Sequence, residues 1–250
     1  GVRLKTESDG RVFPVSDSSQ TIVDCLLSEA KKLGIQIWTS CTVARIEKVK
    51  KGFCLTLADG QTVRPQKLVL ATGSARSGYA FCQSLGHTLI QPIPSLFTFK
   101  IKDPSLNALL GLSVDHVDVW LKGKRKAAQS GPLLVTHWGL SGPSIIKLSA
   151  WQAKVLHGHG YQADLNVHFL PHLSSQDIVD ALTEFKHNHA KKKLSSVSPF
   201  SEIPTRLWAY LVQEKAPFRH RIWKDLAPKH IEKLTDLLSA CPFHMSGKSP

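Results

Sequence analysis

Lys67–Thr88 reads KLVLATGSARSGYAFCQSLGHT, and the run Leu68-Val69-Leu70-Ala71-Thr72-Gly73 inside it decides the fold. Four apolar residues in a row that end in Thr-Gly predict a strand buried on both faces, as in a parallel sheet. Strands of this form return the chain to a dinucleotide-binding sheet. Such sheets open with a Gly-x-Gly-x-x-Gly turn, which cradles a pyrophosphate at a helix N-terminus. No Gly-x-Gly-x-x-Gly occurs in the 250 residues.

Upstream of this strand, Ser16-Asp17-Ser18-Ser19 supplies N-cap oxygens, and Ile22, Val23, Leu26, Leu27, Ala30 and Leu33 follow at helical spacing up to Gly34. Ile35–Trp38, residues 42–49, 53–57 and 62–63 predict strands, with turns at Lys50-Lys51-Gly52 and Asp59-Gly60. Downstream, a short helix over residues 78–85 ends at Gly86. Gln91-Pro92-Ile93-Pro94 marks a boundary.

Beyond the boundary, strands are expected over residues 96–101, 114–121, 132–136 and 161–169. The glycine loop Gly139-Leu140-Ser141-Gly142-Pro143 precedes a helix, with Pro143 in its first turn. After Pro171 the pattern turns helical. Ser174 to Asp177 reads as a helix cap, with Asp rather than Glu at the third helical position, and further helices are expected over residues 204–213 and 228–240. The expected division is 1–90, an α/β domain; 91–170, a β-barrel-like insert; and 171–250, a helical part of that insert.

Composition narrows the function classes. Hydrophobic residues make up 42% and charged residues 20%, as in an ordinary globular chain. No apolar run approaches the roughly 20 residues that span a bilayer, and no apolar signal core opens the chain. Five cysteines without a Cys-x-x-Cys pair suggest free, mostly buried thiols and a reducing compartment, cytoplasm or organelle stroma. The net charge is +13, which raises a nucleic-acid reading. The excess is spread evenly along the chain, whereas a phosphate-tracking patch concentrates it, so a nucleic-acid partner is not expected.

Several other chemistries find little support. The twelve histidines form pairs such as His168 with His172, but none joins a second Cys or His pair at a zinc spacing; no metal site is expected. No Gly-x-Ser-x-Gly elbow is present, and Ser141 falls one position short of that pattern. Trp120, Trp138, Trp151, Trp208 and Trp223 read as packing residues. The loop at Gly139–Pro143 is the most suggestive feature, because a helix start leaves amides free to meet negative charge.

Gly10-Arg11-Val12-Phe13-Pro14, Leu70-Ala71-Thr72-Gly73, Leu85-Gly86-His87-Thr88, Pro94-Ser95-Leu96 and Thr136-His137-Trp138-Gly139-Leu140-Ser141-Gly142-Pro143 occur in that order. In these strings the chain resembles the HI0933-like flavoprotein family, strongly over residues 1–150 and more weakly beyond. The resemblance implies a two-dinucleotide-type FAD-binding domain with a β-barrel and helical insert. It also implies FAD as cofactor, NAD(P)H as electron donor and a small-molecule substrate.

By the same resemblance, Val43 lies near adenine, Ala71, Thr72 and Gly73 along the cofactor, and Ser141 and Gly142 near the reactive ring, with Arg11 and Phe13 as further contacts. No catalytic acid or base is named. A complete family member begins with the glycine turn, so this chain resembles the middle of one, and weak or absent FAD binding by the 250 residues alone is expected. The loop Gly73-Ser74-Ala75-Arg76-Ser77-Gly78-Tyr79 is shorter than in many members. The other readings are a basic non-catalytic module that binds nucleic acid or protein, and a remnant without activity.

Overall fold

A computed structural model describes residues 1–7, 10–216, 218 and 221–249. The chain divides into two compact units, Gly1–Gln91 and Pro92–Pro250.

The first unit opens with a two-stranded ribbon, β1 (Leu4–Thr6) against β2 (Val12–Pro14). Helix α1 (Gln20–Lys32) follows and ends where Gly34 takes φ 67°, the left-handed turn that stops a helix. Then come β3 (Val43–Val49), β4 (Gly52–Leu57) and β5 (Thr62–Val63), an antiparallel meander in the order β3-β4-β5. The Asp59 carboxylate accepts from the Gln61 N–H at 3.0 Å and shapes the β4–β5 turn. Helix α2 (Arg76–Ser84) packs on β3.

Two expected strands do not form in this unit. Residues 35–38 are irregular, with Ile35, Ile37 and Trp38 exposed. Residues 67–71 are also irregular, and Val69 is 86% exposed. A strand with two apolar faces needs strands beside it and layers above and below. Among the described residues none pairs with 67–71. Helix α1 likewise has no buried residue, and Leu26 and Leu27 of its apolar stripe stand in solvent.

The second unit is built on a closed six-stranded barrel. Its members are β6 (Thr98–Ile101), β7 (Ser113–Leu121), β8 (Gln129–Thr136), β9 (Gly139–Ser141), β10 (Ala163–His168) and β11 (Cys241–Ser249). Around the barrel they run β10-β11-β6-β9-β8-β7, every pair antiparallel, with β7 closing on β10. Full closure leaves no free edge. Strand β11 corrects the expected all-helical character of the C-terminal third. Cys241, Phe243 and Met245 alternate inward and complete the barrel between β10 and β6.

A short α3 (Pro104–Asn107) leaves β6, capped by the Asp103 carboxylate at the Ser105 and Leu106 amides. After β9 the chain enters α4 (Pro143–Trp151) and α5 (Ala153–Gly158). Helix α6 (Ser175–Asn188) carries the expected cap, and Asp177 closes it into a capping box: Ser174 Oγ accepts from the Asp177 N–H, and Asp177 accepts from the Ser174 N–H. Then come α7 (Thr205–Tyr210), a π-helical turn at Leu211–Lys215, and α8 (Pro228–Ser239).

One apolar cluster joins barrel and helices. Phe99, Val119, Leu140, Leu165 and Val167 from strands share it with Ile178, Leu182, Trp208, Trp223 and Leu234 from the helical part. Trp208 and Trp223 are fully buried, stack at 5.9 Å with planes 4° apart, and Trp208 Nε1 donates to the Leu194 carbonyl at 2.7 Å. Trp120 is buried too, whereas Trp138 is 43% and Trp151 75% exposed, so those two are not core residues. The cysteines also differ from expectation. All five are free, but among them only Cys241 is buried, and burial pushes its thiol up to about 12. Among the described residues no helix is long and apolar enough to cross a membrane.

Candidate functional site

In the first unit the expected cofactor residues lie on separate elements. Val43 opens β3 opposite Leu57, just before a bulge that precedes Arg45. Ala71, Thr72 and Gly73 are exposed on an irregular segment. From Gln66 to Ser74 the described backbone makes one hydrogen bond, Thr72 C=O accepting from Ala75 N–H at 3.2 Å. Gly73 takes φ 58°, and a Cβ built there meets no atom within 4 Å. The segment is exposed and unpaired because, among the described residues, no strand flanks it, and Gly73 lies in the left-handed region that favours glycine. Arg11 lies 5.5 Å over the ring of Phe13 on the exposed face of the β1–β2 ribbon.

A groove of about 590 Å³ runs between β3 and α2, lined by Arg45, Ile46, Phe81 and Leu85 among others. Its lining begins at Ala44, the residue after Val43 on β3. Arg45 is held there by Glu47 at 2.7 Å.

In the second unit the expected glycine loop is more ordered than a loop. Gly139–Ser141 is strand β9, laddered between β6 and β8, so most of its amides serve the sheet. Only at Gly142 does the chain leave the sheet for α4. Gly142 takes φ 94°, and a Cβ there would sit 2.7 Å from the Pro132 carbonyl oxygen; the turn requires glycine. Ser141 Oγ and Thr98 Oγ1 share a hydrogen bond of 2.8 Å across β9 and β6. Ser144 of the first α4 turn donates to the Pro132 carbonyl at 2.9 Å.

Sequence reasoning read the aromatic residue of this turn, Trp138, as a packing residue, but it is 43% exposed. Trp138 sits between β8 and β9 with the Lys100 ammonium 4.9 Å from its ring centre and the His137 ring 4.6 Å away. Lys100 reaches it because β6 pairs Lys100 with Gly139. That contact is a product of register, which the sequence pattern does not carry.

A second polar cluster lies at the start of α3. Burial opposes ionisation of Asp103, but the Tyr210 hydroxyl at 2.6 Å, the Leu106 amide and Lys215 at 3.5 Å outweigh it and hold the carboxyl below its usual range. Burial and that carboxylate push the Tyr210 phenol far up. The cluster is satisfied within itself and ties the π-helical turn to the barrel. His168 is buried with no partner for Nε2 among the described residues, and desolvation, aided by Arg125, lowers its pKa. Among the described residues no group of three or more His, Cys, Asp or Glu side chains is placed to hold a metal ion.

A Rossmann-like domain and a six-stranded barrel with a helical body are the two parts of one family architecture. The sequence matches the HI0933-like protein Rossmann domain over residues 1–158 and the HI0933-like protein barrel and H2TH domain over residues 93–250, and the chain belongs to the HI0933-like family. Among curated relatives, it is 27% identical to a 3-dehydro-bile acid delta(4,6)-reductase of Clostridium scindens over 93% of this chain and 58% of that protein. It is 28% identical to a ribosomal RNA dihydrouridine synthase of Escherichia coli, over 85% of this chain and 52% of that protein. A ribosomal RNA dihydrouridine synthase of Haemophilus influenzae is 29% identical over 99% of this chain and 61% of that protein. The chain thus spans between half and two thirds of the length of these relatives.

Proposed function

We propose that this chain supplies part of the FAD-binding domain and the barrel–helix body of an FAD-dependent oxidoreductase. The enzyme takes electrons from NAD(P)H and reduces a carbon–carbon double bond conjugated to a carbonyl. The observation that carries this reading is the colinear match of both family domains across the chain. The relatives' names add the reaction type. A 3-dehydro-delta(4,6) bile acid and the uracil ring of uridine both hold a C=C bond in conjugation with C=O, and both names denote its reduction. Such a reduction adds a hydride to the carbon remote from the carbonyl and a proton to the carbon beside it.

When bound, the flavin supplies the hydride chemistry. In this reading the chain's own residues bind and orient. Val43 contacts the adenine end, and the open backbone of Ala71, Thr72 and Gly73 follows the cofactor. Arg11 and Phe13 flank it. For Ser141 and Gly142, in the barrel unit, the reading keeps the role that the family resemblance implies, and the first turn of α4 there favours negative charge by about 0.3–1 kcal/mol when exposed.

The test uses the whole protein that carries this chain. Reduced anaerobically with NADPH or NADH, it should be reoxidised by a conjugated enone or by a uridine-containing RNA, and not by the saturated analogues. Failure of every conjugated acceptor to reoxidise the reduced protein would refute the reaction type.

A further inference from the structure

We propose that the notch between the β7–β8 hairpin tip and α5 docks an acidic segment of a protein partner. One aliphatic side chain of that segment fills the notch, and the carboxylates on either side of it meet Lys122 and Lys124. The proposal is independent of the flavin chemistry.

The sequence sets the charge. Residues 119–163 hold no Asp or Glu. At 19 acids in 250 residues, about three would fall in a run of 45. The same run holds Lys122, Lys124, Arg125, Lys126, Lys147 and Lys154. Thirds of the chain carry similar excess charge, but this run, which covers the hairpin tip, β8, β9, α4 and α5, carries its cations without acids. A surface of one sign attracts partners of the other and repels its own.

The hairpin tip is held in shape. The Lys124 N–H donates to the Leu121 carbonyl at 2.8 Å, Gly123 takes φ 78°, and one 3-10 turn covers Arg125–Ala127. The Arg125 guanidinium lies 5.3 Å over the ring of buried Trp120, which ties the turn to β7. Beside the tip, Leu121, Val155, Leu156 and Ala163 floor a notch of about 210 Å³, and exposed Lys122, Lys124 and His159 also line it. Asp164 is the acid at the notch. Its carboxylate is already engaged by His244 at 2.9 Å and by Lys122 at 3.7 Å, and no described residue gives Lys124 a counter-ion. A partner therefore meets a preformed surface, with little ordering to be done on this side.

Size and surroundings select the occupant. Small-molecule sites take roughly 300–1,000 Å³, so this notch suits a single side chain. An apolar floor with cations around it matches an apolar anchor flanked by carboxylates, the arrangement of a pocket-bound centre inside a charged rim. A nucleic acid brings the charge but offers flat rings rather than a branched aliphatic group. A bilayer fits poorly, because Lys122-Gly123-Lys124-Arg125-Lys126 has no apolar residue to enter it.

The experiment measures, by anisotropy, binding of a fluorescein-labelled peptide, Asp-Glu-Asp-Leu-Glu-Asp-Glu, to the whole protein that carries this chain, at physiological ionic strength. Putting serine in place of the peptide's leucine should weaken binding by roughly 10- to 100-fold, the loss of one buried aliphatic side chain. Lys122→Gln with Lys124→Gln should weaken it by roughly 2- to 30-fold, the loss of two exposed ion pairs. Val155→Ser should erase most of the difference between the leucine and serine peptides. Lys191→Gln with Lys192→Gln removes the same charge from the loop after α6 and should leave binding unchanged.

Four results would overturn the proposal: no binding of the leucine peptide, equal binding of the two peptides to the wild-type protein, wild-type affinity in the folded Lys122→Gln, Lys124→Gln protein, or an equal loss in the Lys191→Gln, Lys192→Gln control. Decauridylate and phosphatidylserine vesicles serve as competitors. If either binds more tightly than the peptide, and loses that binding in the Lys122→Gln, Lys124→Gln protein, the surface belongs to a nucleic acid or a bilayer and the proposal falls.

Discussion

Gly142→Ala tests how tightly the β9–α4 turn is built. Gly142 lies at φ 94° and ψ 169°, a region almost confined to glycine, where another residue is strained by about 1–3 kcal/mol. The added Cβ would also lie 2.7 Å from Pro132 O and 2.9 Å from Leu134 N. Both are backbone atoms of β8, a strand held on two sides by β7 and β9, so neither yields as a flexible side chain would. Forced repacking of this kind costs about 1–3 kcal/mol. Together the two terms give a loss of about 2–6 kcal/mol. For a unit of this size, 1 kcal/mol moves the melting midpoint by about 2–4 °C, so a fall of at least about 4 °C is expected. The assay is urea and thermal unfolding followed by the fluorescence of the buried tryptophans. Gly123→Ala is the control: it has φ 78° in the β7–β8 hairpin and no atom within 4 Å of the new Cβ, so it carries backbone strain without crowding. Equal losses in the two variants, or a loss below about 1 kcal/mol for Gly142→Ala, would refute the crowding argument.

Trp208→Ala should cost about 3–5 kcal/mol, because it opens a cavity beside Trp223 and strands the Leu194 carbonyl; urea unfolding reads it. His168 is held neutral by burial, so its folded pKa lies below the unfolded 6.5. Its contribution is fully present above about pH 6.5 and declines on acidification until the folded pKa is reached, by at most about 1.4 kcal/mol per pH unit. His168→Leu should flatten the stability curve in that window, and an unchanged curve would show that His168 does not titrate there. In the whole protein, Gly73→Val should lower flavin content while far-UV circular dichroism stays the same. Unaltered flavin content would reduce Gly73 to an ordinary loop residue.

Local signals in the sequence survive into the structure. The Ser174–Asp177 capping box, the Asp59-Gly60 turn and the glycine stops after α1 and α2 depend on a few adjacent residues, so the sequence contains all that they need. The run at residues 67–71 is different. Its apolar pattern specifies burial on two faces, but the covering layers must come from elsewhere, and among the described residues they do not. Strand β11 carried a readable alternation at Cys241, Phe243 and Met245, though the register shift at Ser246-Gly247 interrupts it. Its role as the closing strand depends on pairing with β10, nearly eighty residues earlier.

The candidate site divides in the same way. Ser141 and Gly142 were legible because glycines before a helix-starting proline leave a local mark. The Lys100–Trp138 pair was not, because residues 38 positions apart meet only through the β6–β9 register. Exposure of Trp138 likewise follows from its place on a turn rather than in a strand. Amino-acid type alone points an indole toward the core.

The central claim is that this chain belongs to a protein that works through a bound flavin, and flavin content tests it most directly. The whole protein that carries residues 1–250, purified without added cofactor, should be yellow, release about one FAD per polypeptide on denaturation, and lose its visible absorption when NADPH or NADH is added without oxygen. A folded protein that is colourless, takes up no FAD in a titration and shows no bleaching would contradict the account.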